Sequence, residues 1–205
     1  MELQNIFTDF LLVGKIQTDL DKLLKDVLDY KEKNETTPLL MTNRGGYQSP
    51  PIDYDKVKED YDTFPLLFNE LNETMLAFSR DMSQNNNPEG TICLGNSWIN
   101  VNTKYNYNTT HTHPMSYLSG VVYLKVPKDS GNINFYRPRE FNDYGLHHVL
   151  TGNCNAYNGY RYTHQPVEGQ MIIFPSYLEH DVDMSMSEED RVTIAFNSIN
   201  MDFVG

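Results

Sequence analysis

The chain has 205 residues, of which 39% are hydrophobic and 12% aromatic, and it carries a formal net charge of −12 with a pI near 4.8. This length and apolar content favour one folded domain with a real core over a disordered chain. The negative charge disfavours nucleic acid and anionic lipid as partners, because an acidic surface repels both. Cys93 and Cys154 form no CxxC pair and predict reduced thiols rather than a disulfide framework.

The same features predict a cytoplasmic protein. Residues 1–5 include no basic segment ahead of the apolar residues, as a signal peptide would. No stretch approaches the ~18 consecutive apolar residues that a membrane span needs. We therefore expect the partner to be a small molecule or a protein side chain, and we expect neither nucleic acid nor a membrane.

Residues 1–90 are predicted to form a helical flank that packs on the core as part of the same domain. Apolar residues at helical spacing predict a first helix that begins after a cap at residues 18–19. A second helix is predicted from about Pro65, a residue suited to the first turn. Residues 42–51 have the composition of a loop, and residues 84–90 form the clearest boundary in the chain.

Residues 91–205 are predicted to form the β-rich core, because apolar and polar residues alternate there. One strand is expected over 91–102, with a kink near Gly95, and another over 117–126. Shorter strands are expected over residues 133–136, 170–174 and 192–200. Residues 140–165 are irregular and rich in Tyr and Asn, which is typical of a packed loop or a lid. Helices followed by many short strands indicate a helix-flanked antiparallel jelly roll.

His111 and His113 could together hold one metal ion. On an extended strand, residues two apart point to one face, and their Cα atoms lie roughly 6.5–7 Å apart. Both imidazoles could then reach one ion at about 2.0–2.1 Å per bond. His180, in a later segment, could add a third ligand and leave positions open for a substrate. Spacing alone does not decide this, because a His-x-His pair is more often a surface or hydrogen-bonded strand pair.

A set of short segments in the second half of the chain carries a family resemblance. In chain order they are Trp98–Asn102, His111–Pro114, Ser119–Leu124, Pro166–Gly169, Ile173–Ser176, His180 and Arg191–Asn197. Together they resemble a family of 2-oxoglutarate/Fe(II)-dependent oxygenases of bacteria and their phages, and more distantly the prolyl hydroxylases. The resemblance covers residues 96–200, with an upstream echo at 43–49. It implies a double-stranded β-helix (a cupin-type jelly roll) with iron in its mouth, in a bacterium or a phage-infected host.

The resemblance implies that His111, His113 and His180 hold Fe(II) and that 2-oxoglutarate is the cosubstrate. Arg191 follows His180 across a polar turn, and two antiparallel strands joined there would return it beneath the metal. Thr193 is two residues further on and therefore shares the face of Arg191. A guanidinium and a hydroxyl suit the distal carboxylate of a diacid.

Three further residues are candidates for the cosubstrate site. Tyr123 matches a strand tyrosine that supports the same carboxylate in the prolyl hydroxylases, as the resemblance implies. Asn100 and Asn102 project from one face of the preceding strand. Simpler roles exist, because Arg191 could form a surface ion pair with residues 188–190 and Tyr123 could be an ordinary core tyrosine.

His113 departs from the usual pattern of the wider superfamily, in which two histidines and one carboxylate form the facial triad. Either His113 replaces the carboxylate as a ligand, or a carboxylate from elsewhere in the chain does so. Asp181 is adjacent to His180 but should point away from it on a strand. Three neutral imidazoles would leave the ion with its full charge until a dianionic diacid binds.

Three functions follow from these residues. The first is an Fe(II)- and 2-oxoglutarate-dependent dioxygenase that hydroxylates an unidentified small molecule or protein. The second is a three-histidine zinc hydrolase or hydratase, in which Arg191 and Thr193 would be idle. The third is a non-catalytic metal-binding jelly-roll module. The histidines at positions 147, 148 and 164 are expected to be exposed to solvent.

Overall fold

The computed structural model describes residues 9–34, 41–82, 92–137 and 159–200. In chain order the elements are β1 (Leu12–Lys15), α1 (Leu20–Lys33), β2 (Asn43–Arg44), β3 (Tyr47–Gln48), α2 (Tyr54–Asp60), α3 (Thr63–Met82), β4 (Ile92–Asn102), β5 (Tyr107–His111), β6 (Leu118–Lys125), β7 (Ile133–Tyr136), β8 (Arg161–His164), β9 (Gln170–Pro175), β10 (His180–Val182) and β11 (Arg191–Asn200). The predicted boundary at 84–90 lies outside the described residues, as do His147 and His148.

The two long helices confirm the prediction from apolar spacing. Asp19 caps α1 by accepting a hydrogen bond from the Lys22 backbone N–H at 3.0 Å. Leu23 and Val27 are fully buried on one face of α1, and the longer α3 buries a matching apolar face. The short helix α2 was not predicted, since its seven residues bury only Val57. Within the described residues, no helix is long and apolar enough to cross a membrane.

Strands β4 to β11 form two facing antiparallel sheets. The large sheet has the order β1-β9-β6-β11-β4-β3, and the small sheet has the order β2-β5-β10-β7-β8. Of the eight strands β4 to β11, four lie in each sheet, which is the arrangement of a double-stranded β-helix. The predicted fold class, mainly β with flanking helices, is therefore confirmed. Of the segment 140–165 that was predicted to be irregular, residues 140–158 lie outside the described residues, and the prediction is wrong near its end, where β8 pairs with β7.

The hairpin β2–β3 joins the two sheets at one edge. Its first strand pairs with β5 in the small sheet, while its second pairs with β4 in the large sheet. Gly45 adopts φ +81, and a Cβ on Gly46 would lie 2.6 Å from Asn43 Oδ1 and 2.9 Å from the Val101 carbonyl oxygen. The prediction of a loop over residues 42–51 is wrong here, because strands of two residues are too short to show alternation.

Alternation along β4 divides its side chains between the core and the space between the sheets. Ile99 and Val101 are buried against the helices, whereas Trp98 and Asn100 line a cavity between the two sheets. The pairing with β11 skips Gly95, which confirms the predicted kink. The large sheet therefore has an outer face that packs on the helices and an inner face that forms the cavity wall.

Candidate metal centre

Three histidines meet at one end of the cavity. His111 ends β5 and His180 begins β10, and the two are cross-strand partners. His113 lies beyond the end of β5, where its backbone N–H donates to the Ser176 carbonyl at 3.0 Å. One ring nitrogen from each residue lies within 4.8 Å of the other two. The expectation that one strand carries both His111 and His113 is wrong for His113, which lies two residues beyond the end of β5, yet its ring reaches the same site.

Backbone carbonyls fix the ring orientation of two of these histidines. His111 Nδ1 lies 2.7 Å from the Thr109 carbonyl, and His180 Nδ1 lies 2.8 Å from the Leu178 carbonyl. Since a carbonyl can only accept, each Nδ1 carries the proton and each Nε2 offers a lone pair. This is the arrangement in which a histidine binds a metal through Nε2.

Burial keeps all three rings neutral. It lowers the pKa of His113 to about 4 and the pKa of His180 to about 3, and the neighbouring His111 ring adds to both shifts. Burial also lowers the pKa of His111, although its bond to the Thr109 carbonyl opposes the shift. Metal binding requires neutral imidazole, so the rings are in the binding form at neutral pH.

The nitrogens of His113 and His180 face each other closely. Their Nε2 atoms are 3.2 Å apart, and their rings lie nearly parallel with centroids 5.1 Å apart. Trp98 and Phe174 pack beside these two rings and hold them in place. Because His180 carries its proton on Nδ1, only His113 Nε2 could donate across this distance, whereas a metal ion would take the lone pairs of both nitrogens.

Arg191 lies in the same cavity as the three histidines. It is only 5% exposed, and its Nη1 donates to the carbonyl oxygens of Ser130 and Gly131 at 3.0 and 3.3 Å. It forms no ion pair within the part of the chain that the structure describes; burial lowers its pKa, and the electrostatic effects of Tyr123 and the Asp183 carboxylate oppose that shift. A buried cation with no anion in ion-pair contact is costly, which favours an anionic ligand.

The surface ion pair considered for Arg191 is not formed. Glu188 pairs with Lys104, and Glu189 pairs with Lys125. The structure also corrects the route by which Arg191 reaches the site. His180 and Arg191 do not lie on paired strands; β10 belongs to the small sheet and β11 to the large sheet. Arg191 therefore approaches from the opposite wall of the cavity.

Thr193 and Tyr123 lie beside Arg191 on the large sheet. They are cross-strand partners, and both side chains line the cavity. Burial raises the pKa of Tyr123 far above its ordinary value, so its hydroxyl stays protonated and able to donate. One guanidinium and two hydroxyls thus lie along the wall opposite the histidines.

Asn102 and Asn100 have different surroundings. Asn102 accepts a hydrogen bond from Asn43 at 3.0 Å and donates to Asn108 at 3.5 Å. Asn100 lines the cavity, as do Asn108 and Thr42. The position of Thr42 at the cavity was not predicted from the sequence. The only signal nearby was the family resemblance over residues 43–49. Binding of the cosubstrate by Asn102 stays a prediction.

Asp181 points away from the metal site, as expected for a neighbour on a strand. Its carboxylate accepts hydrogen bonds from Tyr136, Asn134 and Thr110 at 2.6, 2.9 and 3.2 Å. His164 is half-buried and bonded to Gln170 at 2.7 Å, so the expectation that it is exposed is wrong. Among the described residues, the histidine trio forms the only cluster with the ligand spacing of a metal site.

Comparison with known proteins identifies the family. Residues 96–197, about half of the chain, match the model of a family described as "Putative 2OG-Fe(II) oxygenase". The chain belongs to this family. The matched range includes His111, His113, His180 and Arg191, and the second and third functions considered above are not favoured. No curated protein matches the sequence.

Solved structures of oxygenases share the fold of this family member. A Pseudomonas putida prolyl-4-hydroxylase aligns with a TM-score of 0.64 and 15% identity over 94% of each chain. A prolyl hydroxylase from Trichoplax adhaerens aligns with a TM-score of 0.62 and 12% identity, over 94% of this chain and 84% of that one. HygX of Streptomyces hygroscopicus was solved with nickel and 2-oxoglutarate. It aligns with a TM-score of 0.58 and 14% identity, over 93% of this chain and 82% of that one. Identities this low establish a common fold.

The residues of this oxygenase fit the iron and 2-oxoglutarate that the family uses. Three neutral imidazoles with convergent nitrogens suit a divalent transition metal. The unpaired guanidinium of Arg191, with the hydroxyls of Thr193 and Tyr123 nearby, suits a carboxylate. Both sets of groups open onto one cavity, as a ligand that spans metal and guanidinium requires.

Proposed function

We propose that this oxygenase binds Fe(II) through His111, His113 and His180. It would bind the distal carboxylate of 2-oxoglutarate through Arg191 and Thr193. The oxidised substrate would be a small molecule or a protein side chain. From the family resemblance, we also propose that it works in the cytoplasm of a bacterium or of a phage-infected host.

The bound iron and 2-oxoglutarate would supply oxidation by O₂, with release of succinate and carbon dioxide and hydroxylation of a substrate C–H bond. The protein contributes orientation and a shielded site. The Thr109 and Leu178 carbonyls hold two histidines in the tautomer that leaves Nε2 free. Arg191 provides positive charge at the opposite wall, and Tyr123 can donate from its protonated hydroxyl.

The observation that carries this proposal is the unpaired charge of Arg191 opposite the histidine trio. The zinc hydrolase would leave that buried charge without a function. A non-catalytic metal module would likewise not need it. A dianionic cosubstrate accounts for both the guanidinium and the neutral metal ligands.

Anaerobic titration with Fe(II) and 2-oxoglutarate tests the proposal. The wild type should develop a weak visible charge-transfer band when both are present. Arg191→Ala should weaken 2-oxoglutarate binding by more than ~100-fold, because it removes a buried charged partner worth about 3 kcal/mol. Metal content, measured by elemental analysis, should be unchanged in this variant.

Arg161→Ala is the matched control, since Arg161 is exposed on β8. It should leave both the band and the metal content as in the wild type. An unchanged affinity for 2-oxoglutarate in Arg191→Ala would refute the role of Arg191. A wild-type protein that binds Fe(II) without ever forming the band would refute the cosubstrate.

A further inference from the structure

Two carboxamide side chains, Gln48 and Asn100, lie next to each other on the inner face of the large sheet. They are cross-strand partners in the β3–β4 pair, so their side chains share one face. Their neighbours Tyr47 and Val101 are paired in the same way and belong to the helix-side core. By alternation, Gln48 and Asn100 face the space between the sheets, and Asn100 lines the cavity.

Neither of these amides has its oxygen satisfied. Gln48 Oε1 and Asn100 Oδ1 are buried and have no hydrogen-bond partner within the described part of the chain. Gln48 as a whole is only 6% exposed. Buried polar atoms in folded proteins are nearly always paired, so two adjacent exceptions beside a cavity indicate a missing ligand.

The surrounding amides are bonded to one another. Asn43 donates to Asn102, Asn102 donates to Asn108, and Asn108 donates to Thr42 at 3.3 Å. This chain of bonds ties the hairpin β2–β3 to β4 and β5. The side chains of Asn43, Asn102, Asn108 and Thr42 are thus bonded to one another, whereas the oxygens of Gln48 and Asn100 are not part of this network.

The cavity around Asn100 offers almost no charge. Apart from the histidines, which are assigned to the metal, Arg191 is the one charged residue among the described cavity-lining residues. Arg191 is assigned to the cosubstrate under the proposed function. A charged group placed against the amide pair would therefore lack a counter-ion, and a carboxylate would have no hydrogen to give to two open oxygens.

We propose that Gln48 and Asn100 form a subsite that binds an uncharged amide N–H group of the substrate. The open oxygens accept the N–H, and the amide nitrogens can donate to the carbonyl of the same group. This inference rests on the proposed function, which places metal and cosubstrate in the adjoining part of the cavity. It selects substrates whose inserted portion is a neutral carboxamide.

Paramagnetic NMR tests the subsite with small probes. The protein is loaded with Mn(II) and 2-oxoglutarate, and the methyl protons of N-methylacetamide, acetamide, acetate and methylammonium are observed separately. Broadening should occur for the amides and not for acetate or methylammonium. Broadening by N-methylacetamide indicates a peptide-like secondary amide, and broadening by acetamide alone indicates a primary carboxamide; both support the subsite.

Variants of Gln48 and Asn100 show whether these two side chains cause the broadening of the amide probes. Gln48→Leu and Asn100→Leu should each reduce the amide broadening at least ~10-fold, because they remove the acceptors. Asn100→Asp should transfer the preference to methylammonium, since it adds a negative charge. Asn96→Leu, at an exposed position of the same strand, should behave as the wild type.

Thermal stability separates a ligand subsite from a structural role. Asn100→Leu should not lower the Tm, because the Asn100 side-chain oxygen makes no hydrogen bond within the described residues that would be lost. Asn102→Leu should lower it, because two bonds to neighbouring amides are removed. A fall in Tm for Asn100→Leu, with unchanged amide broadening, would show that water satisfies these oxygens and would overturn the proposal.

The outcome can be distinguished from failure of the proposed function. Loss of the Fe(II)–2-oxoglutarate band in Asn100→Leu would assign Asn100 to the cosubstrate and would also overturn the subsite. A wild type that lacks the band but broadens the amides with Mn(II) alone would reject the cosubstrate and retain the subsite. Equal broadening of all four probes would mean that they enter the cavity non-specifically and would reject the subsite.

Discussion

The imidazole of His113 stands where most related metal sites have a carboxylate. His113 lies beyond the end of β5, where its backbone N–H donates to the Ser176 carbonyl and its ring packs beside Trp98. With His111 and His180 it would give a neutral set of ligands. The charge of a divalent ion would then be balanced only when a dianionic cosubstrate binds.

This arrangement predicts that metal retention depends on 2-oxoglutarate. After dialysis, elemental analysis should find more iron in the wild type when 2-oxoglutarate is present. His113→Asp should reduce this dependence, because the carboxylate neutralises part of the charge. His113→Ala should weaken metal binding at least ~10-fold, no less than the loss of an outer-shell partner does.

His164→Ala is the matched histidine control, since His164 lies on β8 and bonds to Gln170. It should leave the iron content unchanged with or without 2-oxoglutarate. Equal retention of iron by His113→Ala and the wild type would exclude His113 as a ligand. A carboxylate from elsewhere in the chain would then be the third ligand.

At the scale of elements, the hairpin β2–β3 determines the shape of one cavity edge. It pairs with a different sheet through each of its strands. Thr42, just before β2, lines the cavity, and Gln48 in β3 is the cross-strand partner of the cavity-lining Asn100. Gly46 allows this because its backbone approaches the Val101 carbonyl closely. The hairpin therefore holds the two sheets together at one edge and also contributes to the polar edge of the cavity.

Gly46→Ala should destabilise the protein by about 1–3 kcal/mol, as overpacking does. The new Cβ would lie 2.9 Å from the Val101 carbonyl oxygen, and backbone cannot move aside as a flexible side chain can. Urea unfolding measures the effect. Gly14→Ala in β1 is the control, because its Cβ would meet only Met171 Cε at 3.7 Å. Equal stability of the two variants would contradict the close approach at Gly46.

At the scale of the whole molecule, the proposed ligands would connect the two sheets. His111 and His180 belong to the small sheet, whereas Arg191, Thr193 and Tyr123 belong to the large sheet. A metal with its cosubstrate would bind the folded state through both walls at once. Unfolding separates the walls and abolishes that binding.

Addition of metal and 2-oxoglutarate should therefore raise the Tm. At 100-fold excess over Kd the gain is about 2.7 kcal/mol, which corresponds to a rise of about 5–10 °C for a protein of this size. Scanning calorimetry with an inert divalent metal measures it. In Arg191→Ala the increment from 2-oxoglutarate should vanish while the increment from metal persists. A wild-type Tm that does not change when metal and 2-oxoglutarate are added would contradict binding between the sheets.

The sequence alone determined the features that depend on neighbours along the chain. Helical spacing gave α1 and its cap at Asp19, and alternation gave β4 with its kink at Gly95. These signals are local, because helix and strand periods are imposed by the backbone itself. Beyond these local patterns, the family resemblance carried by the ordered segments between residues 96 and 200 indicated an oxygenase fold.

Only the tertiary structure decided which side chains meet. It placed His113 off the strand, put β10 and β11 in opposite sheets, and showed Asn102 bonded while Asn100 faces the cavity. Such facts depend on strand register and on the assignment of each strand to a sheet. Both are set by contacts between residues far apart in the chain, and the two-residue strands of the hairpin have no period from which to infer them.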